Sequence, residues 1–193
     1  LGLLSTFGML GRTSRLKVFA PECYANLFEQ QMNFFMQGMT YEIEFVPVDT
    51  TQQKVVYEDH SVTVETVPLR HRVPCCGYIF REKPTLPHIR RDMIDYYGIP
   101  LSQINNIKNG ADWTTPEGDI VPNSRLVEPA DAPRSYAYCS DTCYLPDLYE
   151  RVKDVTVLYH ESTYTSENED RAKIYYHSTA RQAALVAQKA GAG

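Results

Sequence analysis

Apolar residues recur along the chain in short runs whose spacing changes from one segment to the next. Leu16 to Phe19 is an apolar-rich run closed by Ala20-Pro21, which predicts a short strand. In Glu22 to Gln37, Tyr24, Leu27, Phe28, Gln31 and Phe35 return at helical spacing. Pro21 suits a first helical position, and Gly38 closes the element. Tyr41 to Val48 alternates instead, with Ile43, Phe45 and Pro47 on one face, and predicts a strand near a sheet edge. Lys54 to Tyr57 and Ser61 to Leu69 read as hairpin arms turned at Asp59-His60, and Tyr78-Ile79-Phe80 as a further strand core.

The character then shifts. Residues 82–122 hold several prolines, a basic amphipathic turn around His88 to Tyr97, and a weak helix from Leu101 to Lys108 closed by Asn109-Gly110. A polar, turn-rich stretch runs from Trp113 to Pro122. No long buried element is visible there, so the segment is expected to be an insertion projecting from a sheet. Beyond it, Ser135 to Cys139 and Val155 to Tyr159 read as buried strands, and Tyr164 to Asp170 as loop. The Ala-rich Thr179 to Ala190 reads as a helix capped by Ser178 or Thr179 and stopped at Gly191. Short strands first, then strands alternating with helices, predict a layered α/β sandwich.

The 193 residues suit one domain with a substantial core. No apolar run reaches the ~18 residues that a membrane span needs. The net charge of −5 argues against a general nucleic-acid binder, but it is uneven: residues 70–108 carry seven basic side chains and three acidic ones. A local basic face on an acidic body remains compatible with a polyanionic substrate. Five cysteines, without C-x-x-C spacing, predict neither a disulfide framework nor a zinc knuckle and point to a reducing compartment. The apolar Leu1 to Ser5 has neither a basic lead nor a starting Met, so it reads as the middle of an element in a fragment.

Chemistry gathers at strand ends. His71 follows an apolar strand in Pro68-Leu69-Arg70-His71-Arg72-Val73-Pro74. Asp141 follows another in Cys139-Ser140-Asp141-Thr142, and His160-Glu161-Ser162-Thr163 a third; His177 precedes the Ala-rich helix. Each has a bland reading, as a structural histidine or a turn-capping aspartate. Together they favour a hydrolytic metal site, and Tyr164 excludes the H-E-x-x-H pattern.

These four segments, in this order, resemble the ribonuclease Z family, tRNA 3′-processing endoribonucleases of the metallo-β-lactamase fold. The resemblance runs over essentially the whole chain. It implies a four-layer αββα sandwich over residues 1–193, incomplete at both ends, with residues 82–122 as a protruding arm that grips tRNA. It also implies a cytoplasmic, homodimeric enzyme that uses two zinc ions to remove 3′ trailers from precursor tRNA. His71 and Asp141 would be metal ligands, His177 the proton donor and Glu161 its orienting partner. In the arm, Arg81, Lys83, Arg90, Arg91 and Lys108 would contact phosphates.

Two departures accompany the resemblance. The family's H-x-H-x-D-H motif is absent, and its last histidine ligand would fall beyond Gly193. Truncation is the expected explanation, since His71 and Asp141 are intact between these losses, and the 193 residues alone are expected to bind zinc weakly and to be inactive. The alternatives are another phosphodiesterase of the same fold, or a non-catalytic RNA-binding subunit on the same scaffold.

Overall fold

The computed structural model describes residues 1–35 and 37–192. Along the chain run α1 (Gly2–Met9), β1 (Leu16–Pro21), α2 (Ala25–Phe35), β2 (Ile43–Val48), β3 (Val55–Glu58), β4 (Val62–Pro68) and β5 (Cys76–Glu82). Then come β6 (His88–Ile89), α3 (Arg91–Tyr97), α4 (Leu101–Lys108), β7 (Trp113–Thr114), β8 (Ile120–Val121), α5 (Asn123–Leu126) and β9 (Val127–Glu128). The last are β10 (Ser135–Cys139), α6 (Leu148–Arg151), β11 (Val157–His160), α7 (Glu169–Tyr175) and α8 (Ala180–Ala190).

The chain forms two compact units. One holds residues 1–58, 63–80 and 135–193; the other holds 59–62 and 81–134. In the larger, β1 pairs with β2 in parallel, and a five-stranded sheet has the order β11-β10-β5-β4-β3, with β10 and β11 parallel and β3 and β4 antiparallel. Val67, Ile79, Ala137 and Cys139 from the sheet pack with Leu148, Val152, Val186 and Ala190 into one buried core. Gly77 permits the close approach of β5 to β10, because a Cβ there would lie 2.5 Å from the Tyr138 carbonyl oxygen. Helix α8 is capped as expected: the Thr179 hydroxyl accepts the Gln182 N–H, and the Gln182 side chain accepts the Thr179 N–H.

Four sequence expectations need correction. Strands β10 and β11 are buried on one face only: Tyr136, Tyr138, Val157 and Tyr159 are exposed while Ala137 and Cys139 are buried, so Tyr-Ala-Tyr-Cys was alternation. Part of the expected loop at 164–170 is the start of α7, whose only buried residue is Ala172; with so little apolar stripe, periodicity could not show it. The opening of the expected Glu22–Gln37 helix is a 3₁₀ turn at Glu22–Tyr24, and Met36 lies outside the described residues. The region after Glu82 does have a core of its own: Ile99, Ile107, Val121 and Leu126 are buried against Ile89, Met93, Tyr97 and Trp113. Its apolar residues are scattered over several short elements and the turns between them, so no run revealed them.

Candidate active site

Three loops leave the strand ends of the larger unit and are tied together by backbone bonds. The Arg70 N–H donates to the Thr142 hydroxyl at 3.1 Å, and the Cys143 N–H donates to the Arg70 carbonyl at 2.8 Å, joining the loops after β4 and β10. The Glu161 N–H donates to the Cys139 carbonyl at 3.0 Å, which sets the end of β11 beside the end of β10. The fully buried Ser178 hydroxyl donates to the Thr142 carbonyl at 2.8 Å. Thr142, also fully buried, is thus the point where all three loops meet.

Glu161 is only 5% exposed, and its carboxylate is fully engaged. Oε1 accepts from the Thr142 N–H at 3.1 Å and from His177 Nδ1 at 2.8 Å; Oε2 accepts from the Thr163 N–H at 2.9 Å. Burial pushes its pKa up, but the Thr163 and Thr142 amides, the Thr163 hydroxyl and His177 together outweigh that and hold it below the ordinary carboxylate value. A charged Glu161 requires the proton of His177 on Nδ1 and leaves Nε2 open.

His71 lies close by, its ring centroid 5.1 Å from that of His177. Its Nδ1 is 3.0 Å from the Tyr176 carbonyl, an acceptor, so Nδ1 carries the proton and Nε2 presents a lone pair. Asp141 is exposed, and Asp141, Glu161 and His177 each bring a donor atom within 4.8 Å of the others. This group could hold a metal ion. Glu161 and His177 already bond to each other, so the Asp141 carboxylate is the donor left open in this group, and His71, expected as a ligand, is not part of it. A carboxylate and a neutral imidazole are ligand types that suit a divalent cation, and zinc takes three or four protein ligands.

The remaining reactive groups stand apart. His160 donates from Nδ1 to the Glu161 carbonyl at 2.7 Å, and its Nε2 is buried without a partner among the described residues. All five cysteines are free thiols. Burial raises the pKa of Cys75, Cys76 and Cys143, and pushes Cys139 up to about 12, so none is a ready thiolate. The basic residues expected to contact phosphates fall in the second unit, in or after β5 and in α3 and α4. Arg81 and Lys83 are half-buried and have partners, Arg90 pairs with Asp92 at 2.7 Å, Arg91 is exposed, and Lys108 ends α4.

Sequence reasoning missed Thr142 as the junction and Tyr176 as the group that orients His71. Neither signal is local: Thr142 meets Arg70 across 72 positions, and His71 meets Tyr176 across 105.

No family model matches the chain. It is 49% identical over 191 residues to a protein named ribonuclease Z from Bacteroides fragilis, covering 99% of this chain and 63% of that relative. A ribonuclease Z from Phocaeicola vulgatus is also 49% identical, over 190 residues, with 98% and 62% covered. One from Porphyromonas gingivalis is 42% identical over 191 residues, with 99% and 63% covered. The chain therefore spans a little under two thirds of the length of these relatives. Among solved structures, human tRNase Z, short form, superposes with a TM-score of 0.60 at 15% identity, covering 99% of this chain and 62% of that one. The metallo-β-lactamase fold protein YhfI from Bacillus subtilis gives 0.56 at 13% identity, covering 100% and 54%. At such identities these likenesses establish the fold, which is that of the metallo-β-lactamases.

Proposed function

We propose, from the premise that this chain is a homologue of ribonuclease Z along 99% of its length, that it forms part of a zinc-dependent endoribonuclease removing 3′ trailers from precursor tRNA. The observation that carries this reading is the pair of buried Glu161 and half-buried His177, bonded at 2.8 Å and set beside the open Asp141 carboxylate.

His71 and Asp141 would hold metal, with further ligands from outside these 193 residues. Bound there, two cations would activate the attacking water and neutralise charge on the scissile phosphate. The rest of the chemistry falls to this chain. Glu161 fixes the His177 ring through Nδ1 and supports its cationic form; with a second proton taken up on Nε2, the ring can give that proton to the departing 3′ oxygen and return to the neutral Nδ1–H tautomer. Thr142 and Thr163 hold Glu161 charged, so it serves as an orienting anion and keeps no proton of its own. His71 is held by the Tyr176 carbonyl in the tautomer that ligation requires.

Residues 82–122, which fall within the second compact unit, serve in this reading as the substrate-binding arm of a single metallo-β-lactamase-like domain, and Arg81, Lys83, Arg90, Arg91 and Lys108 are its phosphate contacts. Arg91 is the most available of these, since Arg90 is already paired. The enzyme acts in the cytoplasm as a homodimer, with the exposed Leu27, Phe34 and Phe35 of α2 available to a second copy. No helix among the described residues is long and apolar enough to cross a membrane.

The test is Asp141→Ala in the complete protein that carries this chain, with bound zinc measured alongside trailer removal. Loss of at least one ion together with nearly all cleavage is expected. Unchanged zinc content and rate would overturn the reading.

A further inference from the structure

A cleft of about 570 Å³ opens on the side of His177 formed by α7, the loop after β4 and the start of α8. Arg70, Tyr144, Lys173, Tyr176 and Gln182 line it together with His177, and the Glu169 and Asp170 carboxylates stand in its wall. The wall is shaped for a ligand with both anionic and aromatic parts. Arg70 and Lys173 make no ion pair among the described residues, although two carboxylates share their cleft. One of those carboxylates is occupied, because the Gln182 amide donates to Glu169 at 3.1 Å. The Arg70 guanidinium lies 6.0 Å from the centre of the Tyr176 ring, so a cation and an aromatic face are presented together.

Tyr176 itself is the most telling feature. It closes α7 in the left-handed region, with φ +60 and ψ +43, a position where glycine or asparagine is the ordinary choice. The backbone role, accepting the His71 Nδ1 proton, needs only a carbonyl, which glycine would supply without strain. What glycine would not supply is the ring. Strain retained at a site edge, where a relaxed residue would do the backbone's task, indicates a use for the side chain, whose ring stands edge-on to His71 at 6.4 Å and also lines the cleft.

We propose that this cleft seats one unpaired nucleotide of the RNA next to the scissile phosphate. Its phosphate lies between Arg70 and Lys173, and its base stacks on the Tyr176 ring or the Arg70 guanidinium plane. Single-stranded RNA is held in this way by aromatic and guanidinium surfaces with nearby cations. Asp170 faces the base edge, where a carboxylate accepts from an exocyclic amine. The inference rests on the proposed endoribonuclease reading and adds to it where the nucleotide beside the cut is held.

The experiment compares wild type, Tyr176→Gly and Arg70→Ala in the complete protein, with two substrates: a precursor tRNA bearing a 3′ trailer, and bis(p-nitrophenyl) phosphate. Tyr176→Gly relieves backbone strain and keeps the carbonyl, so its melting temperature should be unchanged or higher. Its KM for precursor tRNA should rise about tenfold, the loss of one base-stacking contact, and by more than any fall in kcat. Arg70→Ala should raise the same KM. For Arg70→Ala the loss on the small diester should be much smaller than the loss on the tRNA; for Tyr176→Gly, whose carbonyl also holds His71, the diester rate reports any disturbance of His71, and the tRNA loss should exceed it severalfold. Equal losses on both substrates would overturn the proposal and reduce Tyr176 to a support for His71. An unmoved KM in both variants would overturn it as well. A wild-type protein that hydrolyses the small diester but no precursor tRNA would instead sink the endoribonuclease reading, and the nucleotide seat with it.

Discussion

Replacing Glu161 by Gln removes one negative charge and turns one acceptor into a donor, with almost no change of shape. The wild-type carboxylate takes hydrogen bonds from Thr142, Thr163 and His177 at 3.1, 2.9 and 2.8 Å in a site 5% exposed. A glutamine can keep its oxygen toward Thr142 and His177, but its amide then meets the Thr163 N–H, donor against donor. One bond to a charged acceptor contributes about 1.5–3 kcal/mol, and the orphaned amide adds to the cost, so the loss should be about 2–4 kcal/mol. Urea denaturation at neutral pH measures it. The pH dependence gives an independent check. Glu161 has a folded-state pKa below its ordinary value of 4.5, so its contribution is complete above that value. It is lost as pH falls through the lowered one. Wild type should therefore converge toward Glu161→Gln as the medium is acidified below about 4.5. A variant within about 0.5 kcal/mol of wild type at neutral pH, with the same acid profile, would refute the claim that this carboxylate is charged and fully engaged by Thr142, Thr163 and His177, since a lost buried bond costs about 1 kcal/mol or more.

Three shorter predictions follow from other parts of the structure. Gly77→Ala should destabilise by about 1–3 kcal/mol, because its Cβ would press on the Tyr138 carbonyl; the same denaturation reads it, and an unchanged midpoint would show that β5 and β10 can separate freely. In a thiol titration of native protein, exposed Cys23 should react first and Cys139 only on unfolding, since Cys139 is fully buried with its pKa pushed up to about 12. Charge reversal at Arg90 and Arg91 should raise KM for precursor tRNA with kcat retained, and Arg91→Glu alone should carry more of the effect, because Asp92 already occupies Arg90; an equal fall in kcat would assign both residues to the fold.

The parts of this fold visible in the sequence are those whose signal is local. Leu101–Lys108 is bounded by Pro100 and Asn109-Gly110, and Ala180–Ala190 by a capping box and Gly191; both helices stand where the pattern set them. Helix α7 was hidden because only Ala172 is buried in it. The second unit's core was hidden because Ile99 comes from the connection between α3 and α4, and Ile107, Val121 and Leu126 from three separate short elements. The site divides in the same way. Strand-end positions marked His71, Asp141 and Glu161 as reactive groups, and the start of the Ala-rich helix marked His177. Their geometry could not be read, because Glu161 reaches His177 across 16 positions and His71 reaches Tyr176 across 105. Tyr176 left no trace at all: a tyrosine in the left-handed region looks like any other in the sequence.

The most direct test of the account is the cleavage of an end-labelled precursor tRNA by the complete protein and its His177→Ala variant, with zinc content measured in both. With His177 as proton donor to the departing oxygen, wild type should release the trailer in a single cut that leaves a 3′-hydroxyl on the tRNA. His177→Ala should retain its zinc and its fold while kcat falls by roughly 10²–10⁴-fold, the range for removal of a general acid. Loss of zinc in that variant would make His177 a ligand, and an unchanged kcat would leave the Glu161–His177 pair a structural feature without a part in catalysis.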